Sequence, residues 1–286
     1  MARILNTNSS ADDDQSEMSL VTFFLDEQVI ADESDSVFAL ELEDSDMKHA
    51  HALRLRSGEK IAVIDASADY FVCEIRSIGR DFLEVSISET DGMREADING
   101  KVHLFHGLPK SDKFDDVIRQ GTEIGVQAFF PFVSERTVPR LSAEKAGRRA
   151  DRWRKIAKSA AMQSGRRSIP EVGTLMDLED ALAELASYDL VILFWEEAGT
   201  SCRTIDDLAG LCPAGGKAAV VVGPEGGFSE SEVDRITSSA STAHCCSLGN
   251  TILRTETAAV VGCALVIHAL GGLGGTRCDS AGSVRA

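Results

Sequence analysis

Apolar positions along the chain fall into two rhythms. From residue 18 to about residue 95 they form short β-branched and aromatic runs: residues 18–29 (MSLVTFFLDEQV), 60–65 (KIAVID), 70–78 (YFVCEIRSI) and 82–88 (FLEVSIS). Turn residues punctuate them, Ser57-Gly58 and Gly79-Arg80-Asp81 among them. This spacing predicts a small antiparallel barrel or sandwich. From Lys101 onward strands alternate with helices. Residues 102–107 read as a strand. Phe114, Val117, Ile118 and Ile124 share a helix face that Gly125 ends, and residues 126–133 make the next strand. Trp153, Ile156, Ala157, Ala160 and Ala161 mark a second helical stripe, with Arg148, Arg149, Arg152, Lys155 and Lys158 on its other sides. Residues 189–195, 218–222 and 243–248 are further strands, and 256–270 an apolar closing helix. The alternation predicts an α/β domain with a mostly parallel sheet and helices on both faces.

The polar stretch 89–100 separates the two rhythms. The expected organisation is an acidic disordered tail (1–17), a β domain (18–95), an α/β domain (101–270) and a Gly- and Ser-rich flexible tail (271–286), with Met18 a second candidate start. At 43% apolar and 26% charged residues the chain has the composition of a soluble globular protein. No run approaches the ~18–20 apolar residues of a membrane span, and the N-terminus lacks an apolar signal core. Seven cysteines, without CxxC or zinc spacing, read as reduced thiols of a cytoplasmic protein that binds no metal. His49 and His51 have no cysteine or histidine cluster to join.

The net charge of −17 argues against a nucleic-acid partner until its distribution is considered. Residues 101–172 hold fifteen Lys and Arg against eight Asp and Glu, while the rest of the chain holds 14 against 38. An acidic body with one basic segment can hold an anionic polymer if that segment forms one face.

Three of the later strands run into loops of unusual composition: residues 194–199 (FWEEAG), 223–227 (GPEGG) and 248–257 (LGNTILRTET). Parallel neighbouring strands would gather all three at one sheet edge, where open α/β sheets bind ligands. After the second, Ser229 and Glu232 form a capping-box pattern that starts a helix. Neither GxGxxG nor GxxxxGK[ST] occurs here, which argues against a standard dinucleotide or Walker site. A glycine-rich loop carrying Glu225 and no lysine suits a ligand with a positive centre and an adenine read by backbone groups.

GPEGGFS, LGNTILRTETA, LPKSDKFDDVIRQGTEIGV, SERTV, QSGRRSIPEV and HALRLRSGE occur together. From about Leu20 to Leu270 the chain resembles the 16S ribosomal RNA uracil-N3-methyltransferases of the RsmE family, in the SPOUT class. The resemblance implies a PUA-like β-barrel for RNA, followed by a SPOUT-type trefoil-knotted parallel sheet. It implies S-adenosyl-L-methionine as cofactor, held by Glu196, Gly223, Glu225, Gly226, Gly227, Leu248, Gly249, Ile252, Leu253, Arg254 and Thr257, with Glu256 beside them. Arg254, Arg136 and Arg166 are the candidate catalytic cations, stabilising charge on uracil O2 or O4. Arg54, Arg56, Lys110, Lys113, Arg119 and Arg167 are the candidate RNA contacts, Lys110 and Lys113 because they precede a helix start. The implied partners are 16S rRNA or the small ribosomal subunit and a second copy of the chain, with neither membrane nor DNA. A SPOUT enzyme acting on tRNA or another rRNA position, or a non-catalytic RNA-binding protein with this fold, stays open on sequence alone.

Overall fold

The structure, a computed structural model, describes residues 20–90, 100–198 and 203–273. The expected tail 1–17, residues 91–99 of the polar separator and residues 274–286 of the second tail lie outside the described residues. The chain divides into two compact units, the first ending at Gly92.

The first unit contains β1 (Thr22–Phe24), a 3-10 turn (Ile30–Asp32), β2 (Phe38–Ala39), α1 (Asp44–Ala52), β3 (Lys60–Ile64), β4 (Tyr70–Ile78) and β5 (Leu83–Thr90). They make one five-stranded sheet in the order β1-β3-β4-β5-β2. Hydrophobic side chains in its interior, Phe23, Ile30, Ile61, Ile75 and Leu83, are almost completely buried. The runs that read as strands are strands, and β3, β4 and β5 pair antiparallel as expected. The edge departs from expectation: β1 runs parallel to β3, with Thr22 opposite Ala62. A parallel pair needs a long crossover, and the segment through β2 and α1 supplies it. Helix α1 escaped the pattern because DSDMKHAHA offers only Met47 and Ala50 as buried apolar positions.

The second unit contains β6 (Gly100–Gly107), α2 (Lys113–Ile124), β7 (Ala128–Val133), α3 (Ala143–Gln163), β8 (Glu171–Val172), β9 (Met176–Asp177), α4 (Leu178–Leu185), β10 (Leu190–Phe194), α5 (Ile205–Ala209), β11 (Gly216–Val222), α6 (Glu230–Thr237), β12 (Ala243–Cys246) and α7 (Thr255–Ala269). Its sheet runs β12-β10-β11-β6-β7-β8, with β9 also beside β7, and every pairing is parallel. Strand residues alternate between two cores. Leu190, Ile192, Val220 and Leu104 pack under Phe114, Trp153, Leu208 and Cys263, so α2, α3, α5 and α7 cover one face. Val191, Leu193, Val221 and Phe105 pack under Ala181, Leu185, Val233 and Ile236, so α4 and α6 cover the other. Both faces are therefore dry, as the continuous apolar runs of β10 and β11 require. Gly125, at φ +107°, ends α2 where a left-handed residue is needed.

Candidate functional site

Strands β10, β11 and β12 are neighbours and point the same way, so their carboxyl ends deliver three loops to one edge. There they enclose a cavity of about 740 Å³. Its lining comes from residues 194–197, 222–228 and 247–255, with Lys113, Arg136 and Ala258 added from elsewhere. Glu196, Gly223, Glu225, Gly226, Gly227, Leu248, Gly249, Ile252, Leu253 and Arg254 all line it, as does Arg136. Thr257 does not, being exposed on α7 beyond the lining, and Gly199 lies outside the described residues.

The 223–227 loop follows β11 and stops where Ser229 caps α6. The Ser229 hydroxyl accepts the Glu232 N–H and the Glu232 carboxylate accepts the Ser229 N–H, as the capping-box pattern predicts. Glu232 is buried, and its other oxygen accepts the Glu135 N–H at 2.7 Å. That bond draws the segment after β7 against the loop and seats Arg136 beside it, where its guanidinium donates to the Gly226 carbonyl at 3.1 Å. A Cβ on Gly226 would lie 2.9 Å from the Arg136 Cβ, and Gly227 sits at φ +66°. Both glycines are therefore required by backbone geometry and close approach.

Glu225 turns away from these contacts toward α2. Its carboxylate accepts the Lys110 N–H at 3.1 Å and pairs with the Lys113 ammonium at 3.1 Å. The same ammonium lies 3.2 Å from the Glu256 carboxylate at the start of α7. Partial burial pushes the Glu225 carboxyl up, but its own N–H, Lys113 and the Lys110 N–H outweigh this and hold it below the usual carboxylate range. Hydrogen bonds to Glu225 and Glu256 raise the Lys113 ammonium above its ordinary value. One cation thus joins α2, the 223–227 loop and α7.

Beneath this clamp lies a contact that the sequence did not announce. The buried Thr255 hydroxyl donates to the Gly223 carbonyl and lies 3.3 Å from Nε2 of His106, whose Nδ1–H donates to the Gly107 carbonyl at 2.7 Å. His106 is fully buried, and burial pushes its imidazole down to about 4. The apolar run VHLFHG showed where β6 ends; only the fold places that end against the start of α7.

The remaining sequence candidates lie apart. Arg166 is turned away from the cavity: its guanidinium donates to the Thr122 carbonyl at 3.1 Å and to the Val126 carbonyl, and burial lowers it to about 10. Arg167, the next residue, is half-buried. Arg119 pairs with Asp116 on the surface of α2. Lys113 forms the clamp, and Lys110 contributes its backbone while its side chain is exposed. Arg54 and Arg56 are exposed in the first unit, Arg54 at φ +58°. Among the described residues no group of His, Cys, Asp or Glu is placed to hold a metal ion, and no helix is long and apolar enough to cross a membrane.

Comparison with known proteins places these features. The model of an RNA methyltransferase domain matches residues 96–267. Ribosomal RNA small subunit methyltransferase E of Bacillus subtilis is 35% identical over 211 residues, covering 73% of this chain and 81% of that protein. The protein of the same name from Mycobacterium bovis is 31% identical, covering 76% and 81%. Among solved structures, ribosomal RNA small subunit methyltransferase E of Neisseria gonorrhoeae, bound to S-adenosyl methionine, superposes with a TM-score of 0.70 at 26% identity, covering 86% of this chain and 95% of that one.

Proposed function

This chain belongs to the RNA methyltransferase domain family and, within it, to the ribosomal RNA small subunit methyltransferase E group, and from that premise we propose that it methylates uracil N3 in 16S rRNA, using S-adenosylmethionine in the cytoplasm. The observation that carries this reading is the convergence of three strand-end loops on one cavity in the unit that the family model matches.

The residues present suit the cofactor. The cavity has the size of a small-molecule site. Backbone groups of residues 223–227 and 248–253 can read an adenine edge, Leu248 and Leu253 can cover its face, and Glu196 can accept from hydroxyl or ammonium donors. Ile252, at 85% exposure, is an apolar side chain on the cavity lip that a ligand or partner would cover. Bound there, S-adenosylmethionine supplies an electrophilic methyl carbon on a sulfonium. The chain's own contribution is positioning and charge. Arg254 and Arg136 both line the cavity, and a guanidinium near O2 or O4 stabilises the negative charge that develops as N3 loses its proton.

Two finer readings accompany this one. The first unit is a PUA-like barrel for RNA, and segment 248–257 threads against the 223–227 loop as the trefoil knot; the bond from Thr255 to the Gly223 carbonyl supports that threading. The protein is a homodimer: α7 leaves Val261 and Leu265 exposed in a helix that is apolar all round, which suits a second copy.

Calorimetric titration with S-adenosylmethionine, followed by methyl transfer to small subunits from a strain lacking the enzyme, tests the reading. Binding and a single N3-methyluridine in 16S rRNA are expected, and Gly226→Glu abolishes both. No binding by the purified dimer overturns the catalytic reading; a methyl group on tRNA or at another rRNA position overturns the substrate.

A further inference from the structure

Helix α3 stands apart in this acidic chain. It carries seven Lys and Arg against two Asp and Glu, in a protein of net charge −17. Its core side, Ala150, Trp153, Ala157 and Ala161, is buried on the sheet. Lys145, Arg148, Arg152 and Lys155 recur at three- and four-residue intervals, so they form one stripe beside that core face. All four are exposed, and the stripe spans about 15 Å along the helix axis. Arg148, Arg152 and Lys155 of the stripe, with Arg119 of α2, wall a shallow groove of about 820 Å³ in which four basic side chains outnumber the two carboxylates, Glu123 and Asp151. Carboxylates offset part of this charge, Glu144 pairing with Arg148, Asp116 with Arg119, and Asp112 and Asp115 with Arg152, while Lys145 and Lys155 have no carboxylate partner among the described residues.

The stripe also connects to the cavity. Arg152 pairs with Asp112 at 3.6 Å and with the buried carboxylate of Asp115, which accepts the Trp153 indole N–H at 3.1 Å. Asp112 and Asp115 flank Lys113, whose ammonium holds Glu225 of the cavity wall. One turn at the start of α2 therefore fixes the stripe on one side and the 223–227 loop on the other.

We propose that the α3 stripe is a docking surface for the RNA phosphate backbone, placed to lead a strand toward the cavity; this rests on the methyltransferase reading given above. Charge selects the occupant. In a two-fold dimer the same patch meets itself, and two basic stripes face to face would repel, whereas α7 offers an apolar face for that purpose. A polyanion fits the stripe, and long lysine and arginine side chains at helical spacing suit phosphates that carry no base information.

The test uses the full-length protein and purified 16S rRNA. In the variant Lys145→Gln/Arg148→Gln/Lys155→Gln, glutamine keeps helix propensity and Arg152 stays in place. The control Lys101→Gln/Lys217→Gln/Arg235→Gln removes the same charge elsewhere in the second unit. Binding is measured from 50 to 300 mM salt, with cofactor affinity and melting temperature alongside. The stripe variant is expected to bind RNA more weakly, and its slope of log Kd against log salt to be shallower by about 2, since each phosphate contact on a single strand contributes about 0.7. Its cofactor affinity and melting temperature stay at wild-type values, and the control keeps the wild-type slope. An unchanged slope, or an equal loss in the control, overturns the proposal. If wild-type protein binds RNA through the stripe but transfers no methyl group to small subunits, the methyltransferase reading fails while the surface stands.

Discussion

Lys113 is the residue on which the cavity wall depends. It was a natural candidate for a phosphate contact at a helix start, but its ammonium is held between Glu225 and Glu256. Replacing it with methionine leaves two carboxylates facing each other and frees the 223–227 loop from α2. Hydrogen bonds to charged groups are worth about 1.5–3 kcal/mol each, so cofactor affinity should fall by about tenfold or more. Lys113→Arg should restore part of it. Calorimetry without RNA separates this role from substrate contact: a Lys113→Met dissociation constant within about twofold of wild type contradicts the clamp.

At the scale of elements, Arg166 behaves as a fastener between helices. Segment 164–167 follows α3, and the Arg166 guanidinium reaches back to the Thr122 carbonyl near the C-terminus of α2 and to the Val126 carbonyl beyond it. The Thr122 carbonyl otherwise accepts the capping Gly125 N–H at 3.1 Å, and a cation at a helix C-terminus also complements the helix dipole. Arg166→Met should cost about 2 kcal/mol of stability, measured by urea unfolding, and leave cofactor affinity unchanged. Loss of cofactor binding with no loss of stability would return Arg166 to the active site. The same elements mark how far the sequence could be read. The strands of the second unit and the gathering of their loops were legible, because apolar runs alternating with helical stripes force a parallel sheet and parallel strands share an edge. The partners of Lys113, Thr255 and Arg166 were not, because each reaches an element at least thirty residues away, and no periodicity encodes that distance. Helices α4 and α5 also went unread, being one or two turns long with two buried positions each.

For the whole molecule, pH separates buried histidines from acidic surface. His103 and His106 stand on β6 in the centre of the sheet. Burial, with Lys217 and Lys101 nearby, pushes His103 down to about 4, and burial alone pushes His106 to about 4. Both lie below the ordinary 6.5, so as pH falls the unfolded chain takes up protons that the folded chain refuses. Stability present above pH 6.5 is therefore lost on descent toward pH 4, on the order of 3 kcal/mol for the fully buried His106. Glu225, held below the usual carboxylate range, contributes stability lost only lower still; Lys113, raised, contributes stability lost only as pH climbs past its ordinary 10.5. The ordinary carboxylate range lies about two units below that of histidine. The interval from 6.5 to 5 therefore belongs to the histidines. The melting temperature should be level from pH 7 to 9 and fall steadily from 6.5 to 5, and His106→Asn should flatten that fall whatever its own stability at pH 7. A melting temperature constant down to pH 5, or a slope that the substitution leaves intact, would mean that His106 is not held neutral in the folded protein.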